Sequence, residues 1–235
     1  MSIFRGSPFL RQSAALGSGG DNARAALRTQ HDRVAATVRV GDAAELIDAA
    51  CQLEQILAIA RDTLGIRDPD TLVVEGTLAI AYLLGGVKTR GLGLAQRTLA
   101  AREQVLGPDH PVTLAAADAV AAALRVIGRP KAAARRHEEV IIRRKRVLGG
   151  GHPDTIASQV ALGLARADAG DLRGAASQLS TTAATAGRVL GYDHPISTYA
   201  RELLADVSRQ VVTAGVRDED ECPVSFGSAA GVGDI

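Results

Sequence analysis

The chain has 235 residues and is 46% hydrophobic but only 3% aromatic, with no tryptophan and 43 alanines. A core of such small side chains requires closely packed backbones, which favours helices over a sandwich filled with β-branched and aromatic residues. Lys and Arg number 27 against 26 Asp and Glu, so the net charge is +1 and the chain as a whole attracts neither nucleic acid nor an anionic membrane.

Cysteine content and hydropathy exclude further classes. Cys51 and Cys222 are too few for a disulfide framework and too far apart to indicate a zinc site. Cys51 is interpreted as a small core residue because Ala49, Ala50 and Leu53 lie beside it in sequence. No apolar run approaches the roughly 18 residues that span a bilayer, and the N-terminus lacks the hydrophobic region of a signal peptide. The composition predicts a cytoplasmic protein without a membrane partner.

The first third of the chain is predicted to hold a flexible segment and a degenerate helix pair. Residues 1–22 contain Gly and Ser without helical periodicity and are predicted to be flexible. Residues 23–40 and 43–63 are predicted helices, because they are helix-forming segments separated by Gly41 and Asp42.

A repeat of 42 residues organises the rest of the chain. Leu-Gly pairs begin at positions 64, 106, 148 and 190, and the copies read LGIRDP, LGPDHP, LGGGHP and LGYDHP. A second glycine follows within each unit, at Gly86, Gly128 and Gly170. With apolar residues at helical spacing between these glycines, each unit is predicted to contain two helices of about four turns. The proline suits the first turn of a helix, and the glycine after leucine suits its end.

The segment VLGPDHPVTL at 105–114 resembles the tetratricopeptide repeat of the kinesin-light-chain type, and the likeness extends over about residues 27–212. The resemblance implies an all-α, right-handed α-solenoid of antiparallel helix pairs. About four repeats would occupy residues 23–213, with a capping helix over 195–213. Small residues where paired helices cross, at Ala79, Ala121 and Gly163, agree with this fold. Residues 214–235 are predicted to be an acidic, flexible tail.

Three histidines recur in the corner motif but are predicted to be structural. His110, His152 and His194 occupy equivalent sites in successive repeats, which places them too far apart to share one metal ion. A hydrogen bond from each ring to the backbone of its corner is the preferred interpretation. No catalytic motif was found, so neither catalytic residues, a metal nor a cofactor is predicted, and an enzyme is disfavoured.

The resemblance implies that the first helix of each pair lines a concave groove that binds a peptide or a helical segment of another protein. In the kinesin-light-chain type this helix commonly carries an Asn pair that contacts the ligand main chain, and this sequence lacks that pair. By register the groove residues are Val73, Thr77, Ile80, Asp118, Ala122, Arg125, Val160, Leu164, Asp168, Tyr199 and Glu202. A non-catalytic interaction scaffold or adaptor is therefore predicted, and simple packing of these residues within the solenoid is the competing interpretation.

Two alternatives stay open. The segment 129–146 carries eight Lys or Arg against two Glu, which allows a regulator that binds nucleic acid, although no aromatic residues lie nearby to stack on bases. This basic patch comprises Arg135, Arg136, Arg143, Arg144, Lys145 and Arg146. The other alternative is an accessory protein that presents a precursor peptide to a modifying enzyme. The acidic tail is also a candidate for an intramolecular contact with the groove or the basic patch.

Overall fold

A computed structural model describes residues 20–220 of the chain, and this part consists of nine α-helices without strands. In chain order the helices are α1 (Gly20–Val40), α2 (Ala43–Thr63), α3 (Pro69–Leu84), α4 (Lys88–Leu106), α5 (Pro111–Val126), α6 (Pro130–Val147), α7 (Pro153–Asp168), α8 (Leu172–Leu190) and α9 (Pro195–Asp220). Each helix packs against the next, which confirms the predicted all-α solenoid of helix pairs.

The ends of the array differ from the predicted boundaries. Helix α1 begins at Gly20 instead of residue 23, and α9 continues to Asp220 instead of ending at residue 213. The predictions of flexible segments at 1–22 and 214–235 lie outside the described residues for 1–19 and 221–235.

Seven glycines shape the corners of the solenoid. Each has a positive φ between +83° and +97°, and they follow one another every 21 residues: Gly65, Gly86, Gly107, Gly128, Gly149, Gly170 and Gly191. A Cβ atom at any of them would have no neighbour within 4 Å. These corners therefore require glycine for its backbone conformation and not for space.

The recurrent histidines cap helices. Nδ1 of His110 accepts a hydrogen bond from the N–H of Val112, and His152 and His194 accept equivalent bonds, each 3.2 Å long. In the earlier corner the carboxylate of Asp68 does the same for the N–H of Asp70, at 2.9 Å. These bonds satisfy backbone donors that the first turn of a helix leaves without a partner.

Small residues allow the helices of a pair to approach closely. Ala79 and Ala121 are buried, as is Gly163. A Cβ atom on Gly163 would lie 2.6 Å from Cγ of Leu179, a side chain that is itself fully buried. Part of the high alanine and glycine content is therefore required by helix packing.

The apolar core divides into two clusters of buried residues. One extends from α1 to α6, and the other includes residues of α7, α8 and α9. Cys51 lies outside both, because it is exposed, and its interpretation as a core residue was wrong. The buried stripe of α2 follows Leu46, Ala49, Leu53 and Ile56, and position 51 is rotated away from that stripe.

The contacts between helices define an inner and an outer face. Each odd-numbered helix touches the next odd-numbered one, from α1 to α9, whereas no two even-numbered helices touch anywhere between Gly20 and Asp220. Because the odd-numbered helices are closer together, they line the inner, concave side of the array. Over the same residues, no helix combines the length and apolar character that crossing a membrane requires.

Candidate binding groove

An open cavity of about 220 Å³ lies on the inner face between α3 and α5, with residues of α4 behind them. Apart from two threonines and Arg102, the residues around it are apolar. They are Val73, Gly76, Thr77, Ala79, Ile80 and Leu83 of α3, Ala95, Thr98 and Arg102 of α4, and Ala115, Ala116 and Ala119 of α5. Small-molecule sites usually exceed roughly 300 Å³, so the cavity suits one or two side chains of a partner.

Three of the predicted groove residues border this cavity. Val73 and Ile80 are large apolar residues that remain 39% and 41% exposed. Thr77 lies between them, and its hydroxyl is 2.8 Å from Nε2 of His31 on α1. The inner surface of α3 therefore presents an apolar patch, with one hydroxyl held in place by the preceding inner helix.

Asp118 on α5 is bound within the protein. One carboxylate oxygen is 2.7 Å from Nδ1 of His137, and the other accepts a hydrogen bond from Nη1 of Arg144 at 3.2 Å. Both partners are buried, so the carboxylate compensates a buried cation. Asp118 therefore has a structural role that limits its availability to a ligand.

The predicted groove residues of α5 and α7 also include an ion pair and a core residue. Nη1 of Arg125 donates to Asp168 at 2.8 Å, which links two neighbouring inner helices. Ala122 is exposed and Leu164 is half-buried. Val160 is only 3% exposed and packs in the second core cluster, so it does not line the groove surface. Its position on α7 faces α8 and α9, whose residues Ala175, Leu179 and Ala200 share that cluster.

At the last inner helix, α9, both predicted residues are accessible. Tyr199 is 50% exposed, and Glu202 is exposed as well. They are the only aromatic and acidic groups, respectively, among the predicted groove residues of this helix, and they lie two repeats away from the cavity beside Val73. The structure therefore separates the predicted groove into an apolar end at α3 and a polar end at α9.

The basic patch on α6 is smaller than its sequence indicates. Arg144 is buried and not on the surface, because its guanidinium contacts Asp118, the carbonyl of Asp154 and the hydroxyl of Ser158. Arg143 and Arg146 both bind the carboxylate of Asp109.

The remaining members of the patch are surface groups. Arg136 pairs with Glu139 at 2.9 Å within the same helix. Arg135 and Lys145 are exposed. Much of the positive charge that was counted along 129–146 is therefore compensated by carboxylates of α6 and of neighbouring segments, which weakens the case for a nucleic-acid surface.

Arg102 was not identified from the sequence, although the repeat carried a signal for it. Arg102 and Arg144 are 42 residues apart and occupy the same place in successive repeats. Arg102 is 9% exposed, and its Nη2 and Nη1 donate to the carbonyls of Leu72 and Val112, at 2.8 and 3.5 Å. Burial lowers the pKa of Arg102, and the negative charge of Glu75 opposes that shift. Arginines recurring at one register position on the mostly apolar repeat would have revealed it.

No group of three or more His, Cys, Asp or Glu side chains suited to a metal ion occurs among the residues that the structure describes. The recurrent histidines are used as helix caps, as the sequence predicts. What the inner face offers is an apolar surface with one buried guanidinium.

Known proteins share these repeats. A family model described as tetratricopeptide repeat matches residues 76–112 and 113–154, a span that includes α4, α5 and α6. No match was found among curated protein sequences.

Solved structures resemble most of the array. A kinesin light chain protein from Podosopora anserina with nearly identical TPR-like repeats is 26% identical, with a TM-score of 0.67, over 83% of this chain and 92% of that one. A point variant of the same protein gives a TM-score of 0.68 at 26% identity, over 83% and 91% of the two chains.

A more distant structure shares the fold alone. BtubC (BKLC) from P. vanneervenii is 16% identical with a TM-score of 0.50, over 98% of this chain and all of that one. The recurrent corner motif, the paired helices and these matches agree with one another. The chain is a tetratricopeptide-repeat protein of the kinesin-light-chain-like type.

Proposed function

We propose that this protein is a non-catalytic scaffold or adaptor that binds a peptide or a helical segment of another protein along its inner face. Tetratricopeptide-repeat solenoids are non-catalytic folds that generally bind other proteins or peptides. The observation that carries the proposal is the apolar surface between α3 and α5, where Val73 and Ile80 stay exposed beside a cavity. Large apolar side chains grouped around a concavity are typical of a contact surface.

The test compares two exposed isoleucines on opposite faces. Ile80 borders the cavity on inner helix α3 and is 41% exposed, whereas Ile142 lies on outer helix α6 and is 70% exposed. A photo-crosslinking amino acid placed at either position, in the cells that produce the protein, should capture a discrete partner from position 80 and not from position 142.

Substitution at the same two positions supplies the affinity test. Ile80→Glu should weaken binding of the captured partner by at least about tenfold, since a charge would enter an apolar contact. Ile142→Glu should leave that affinity unchanged. Equal affinity of both variants and the wild-type protein would remove the groove from the proposal.

The acidic tail is a further proposed occupant of the groove. Residues 218–221 of the sequence are all acidic, and the inner face holds Arg102 and Arg125. A tethered segment acts at an effective concentration in the millimolar range, so it would compete with a partner. Deletion of residues 221–235 should then strengthen partner binding, and an unchanged affinity would exclude the contact.

The other functions that the sequence left open receive less support. With Arg144 buried and Arg143 and Arg146 bound to Asp109, nucleic-acid binding by α6 would have to rely on the few remaining cations. A steep dependence of RNA or DNA affinity on salt would favour that function over the scaffold. Presentation of a precursor peptide is a special case of groove binding, to be recognised by the identity of the captured partner. A cytoplasmic location agrees with either function and is part of the proposal.

A further inference from the structure

The guanidinium of Arg102 faces an unfilled place in the wall of the groove. A Cβ atom built on Gly76 would lie 3.1 Å from Nη2 of Arg102, and both residues border the cavity between α3 and α5. No other charged residue borders that cavity. An arginine has five N–H donors, and two hydrogen bonds to carbonyls use only two of those of Arg102.

The next repeat shows what belongs in that place. Asp118 lies 42 residues after Gly76, and its carboxylate binds Arg144, the counterpart of Arg102. Ser158, at the counterpart position of Ala116, supplies a second acceptor to Arg144 at 2.6 Å. Both polar groups are replaced by small apolar residues around Arg102. The later joint is therefore complete, whereas the earlier one lacks the carboxylate and the hydroxyl.

No carboxylate of the chain takes over the missing role. Glu75 is the neighbouring acid whose charge acts on Arg102, but its own carboxylate binds Arg61. A guanidinium that is nine-tenths buried without a carboxylate is costly, and an anion that reaches it is bound in a site of low dielectric. The Nε atoms of Arg102 and Arg144 both lack an acceptor, so the carboxylate is the feature that distinguishes the two sites.

We infer that the cavity beside Gly76 binds an acidic side chain of the partner segment, whose carboxylate pairs with Arg102 in the position that Asp118 holds for Arg144. The apolar walls at Val73 and Ile80 contact the methylene groups and the apolar neighbours of that side chain. This inference rests on the proposed function, because it gives the chemistry of the segment that the groove accepts. The partner is thus an apolar segment with an Asp or Glu at its centre.

The inference can be tested without knowing the partner. Butyrate reproduces the side chain of glutamate from Cα onward, and butyramide reproduces that of glutamine. Titration of the isotope-labelled full-length protein with each compound is followed by NMR at the Arg102 Nε–H and at the amides of Thr77 and Ala119. Butyrate should give saturable shifts with a Kd on the order of 10 mM, typical of so small a ligand. Butyramide should bind at least about tenfold more weakly.

Two variants of Gly76 control the experiment. Gly76→Asp restores the carboxylate of the later repeat, so it should abolish butyrate binding and raise Tm above that of Gly76→Ala by about 2–4 °C. Gly76→Ala adds the same Cβ without a charge and should retain butyrate binding. The comparison of these two variants separates an occupied site from a merely narrowed cavity.

Several outcomes would overturn the inference. One is the absence of saturable shifts at Arg102, and another is an equal response of the wild-type protein and Gly76→Asp. If deletion of residues 221–235 tightened butyrate binding, the occupant would be the chain's own tail and not another protein. Loss of partner capture at position 80 would instead contradict the proposed function, whereas capture that is insensitive to Gly76→Asp would contradict the carboxylate site alone.

Discussion

Arg102 and Arg144 occupy the same position in successive repeats but stand in different surroundings. Arg144 on α6 binds Asp118 and Ser158, and with His137 these residues form a buried polar group between α5 and α7. Arg102 on α4 binds only main-chain carbonyls and borders an open cavity. The comparison shows that one backbone joint can be closed by its own carboxylate or left open towards the groove, according to one side chain of the preceding inner helix.

The closed joint should be sensitive to loss of its acid. Asp118→Ala leaves the buried Arg144 without a carboxylate, so we expect the free energy of unfolding to fall by about 3–5 kcal/mol in urea denaturation. Asp168→Ala is the control, because it removes a more exposed carboxylate from Arg125 and should cost less than about 1 kcal/mol. Equal losses in the two variants would show that Arg144 does not depend on Asp118.

The same substitution should have opposite effects at two inner-helix glycines. Gly163→Ala places a methyl group against the buried Leu179 and should lower the free energy of unfolding by about 1–3 kcal/mol. Gly76→Ala meets only the end of the Arg102 side chain, so the gain in helix propensity, up to about 1 kcal/mol, should dominate. Thermal and urea denaturation of both variants measure this difference, and a neutral Gly163→Ala would contradict the close approach.

The helix caps should not distinguish the two joints. His110 caps α5 and His152 caps α7 with bonds of equal length, so replacement of either by alanine should lower the free energy of unfolding by the same amount, about 1 kcal/mol. His110→Asp should retain most of that stability, because Asp68 caps α3 in the same way. A much larger loss at one histidine would mean that the joints differ in more than the carboxylate.

The acidic cap at α3 should add a weak pH dependence that the histidine caps lack. Burial alone would raise the pKa of Asp68, but its hydrogen bonds from Arg24 and from the backbone lower it. A lowered pKa in the folded state stabilises the protein above the unfolded value of roughly 3.9, and this stability is lost as the pH falls through the folded value. The difference in unfolding free energy between wild type and Asp68→Asn should therefore shrink from pH 5 downwards to about pH 2.5, and a constant difference would contradict it.

The repeated corner motif made the fold predictable. Leu-Gly pairs at a constant spacing, each followed by proline, define where helices end and begin, and the structure places helix starts at Pro69, Pro111, Pro153 and Pro195. The role of His110 was predictable for the same reason, because an equivalent position in each repeat cannot share one ligand. Local backbone requirements of this kind are visible in a single sequence.

Side-chain direction was harder to predict than helix position. Val160 and Asp118 occupy equivalent register positions, but Val160 is buried among residues of α8 and α9, and Asp118 binds a cation. Arg144 was assigned to the surface because it lies in a run of four basic residues, whereas its partners come from α5 and α7. Contacts between neighbouring repeats decide these cases, and register within one helix does not contain them.

The spacing of the seven positive-φ glycines has a consequence for how such a chain changes length. Because the corners recur every 21 residues without slippage, removal or duplication of a 42-residue unit by recombination joins like with like. Excision of residues 107–148, for example, would bring Gly149 after Leu106 and place Arg102 beside Asp154 and Ser158, the residues that Arg144 contacts now. The same gene segment can thus be lost or copied while every surviving helix keeps a compatible neighbour, and the length of the groove can be inherited in whole units.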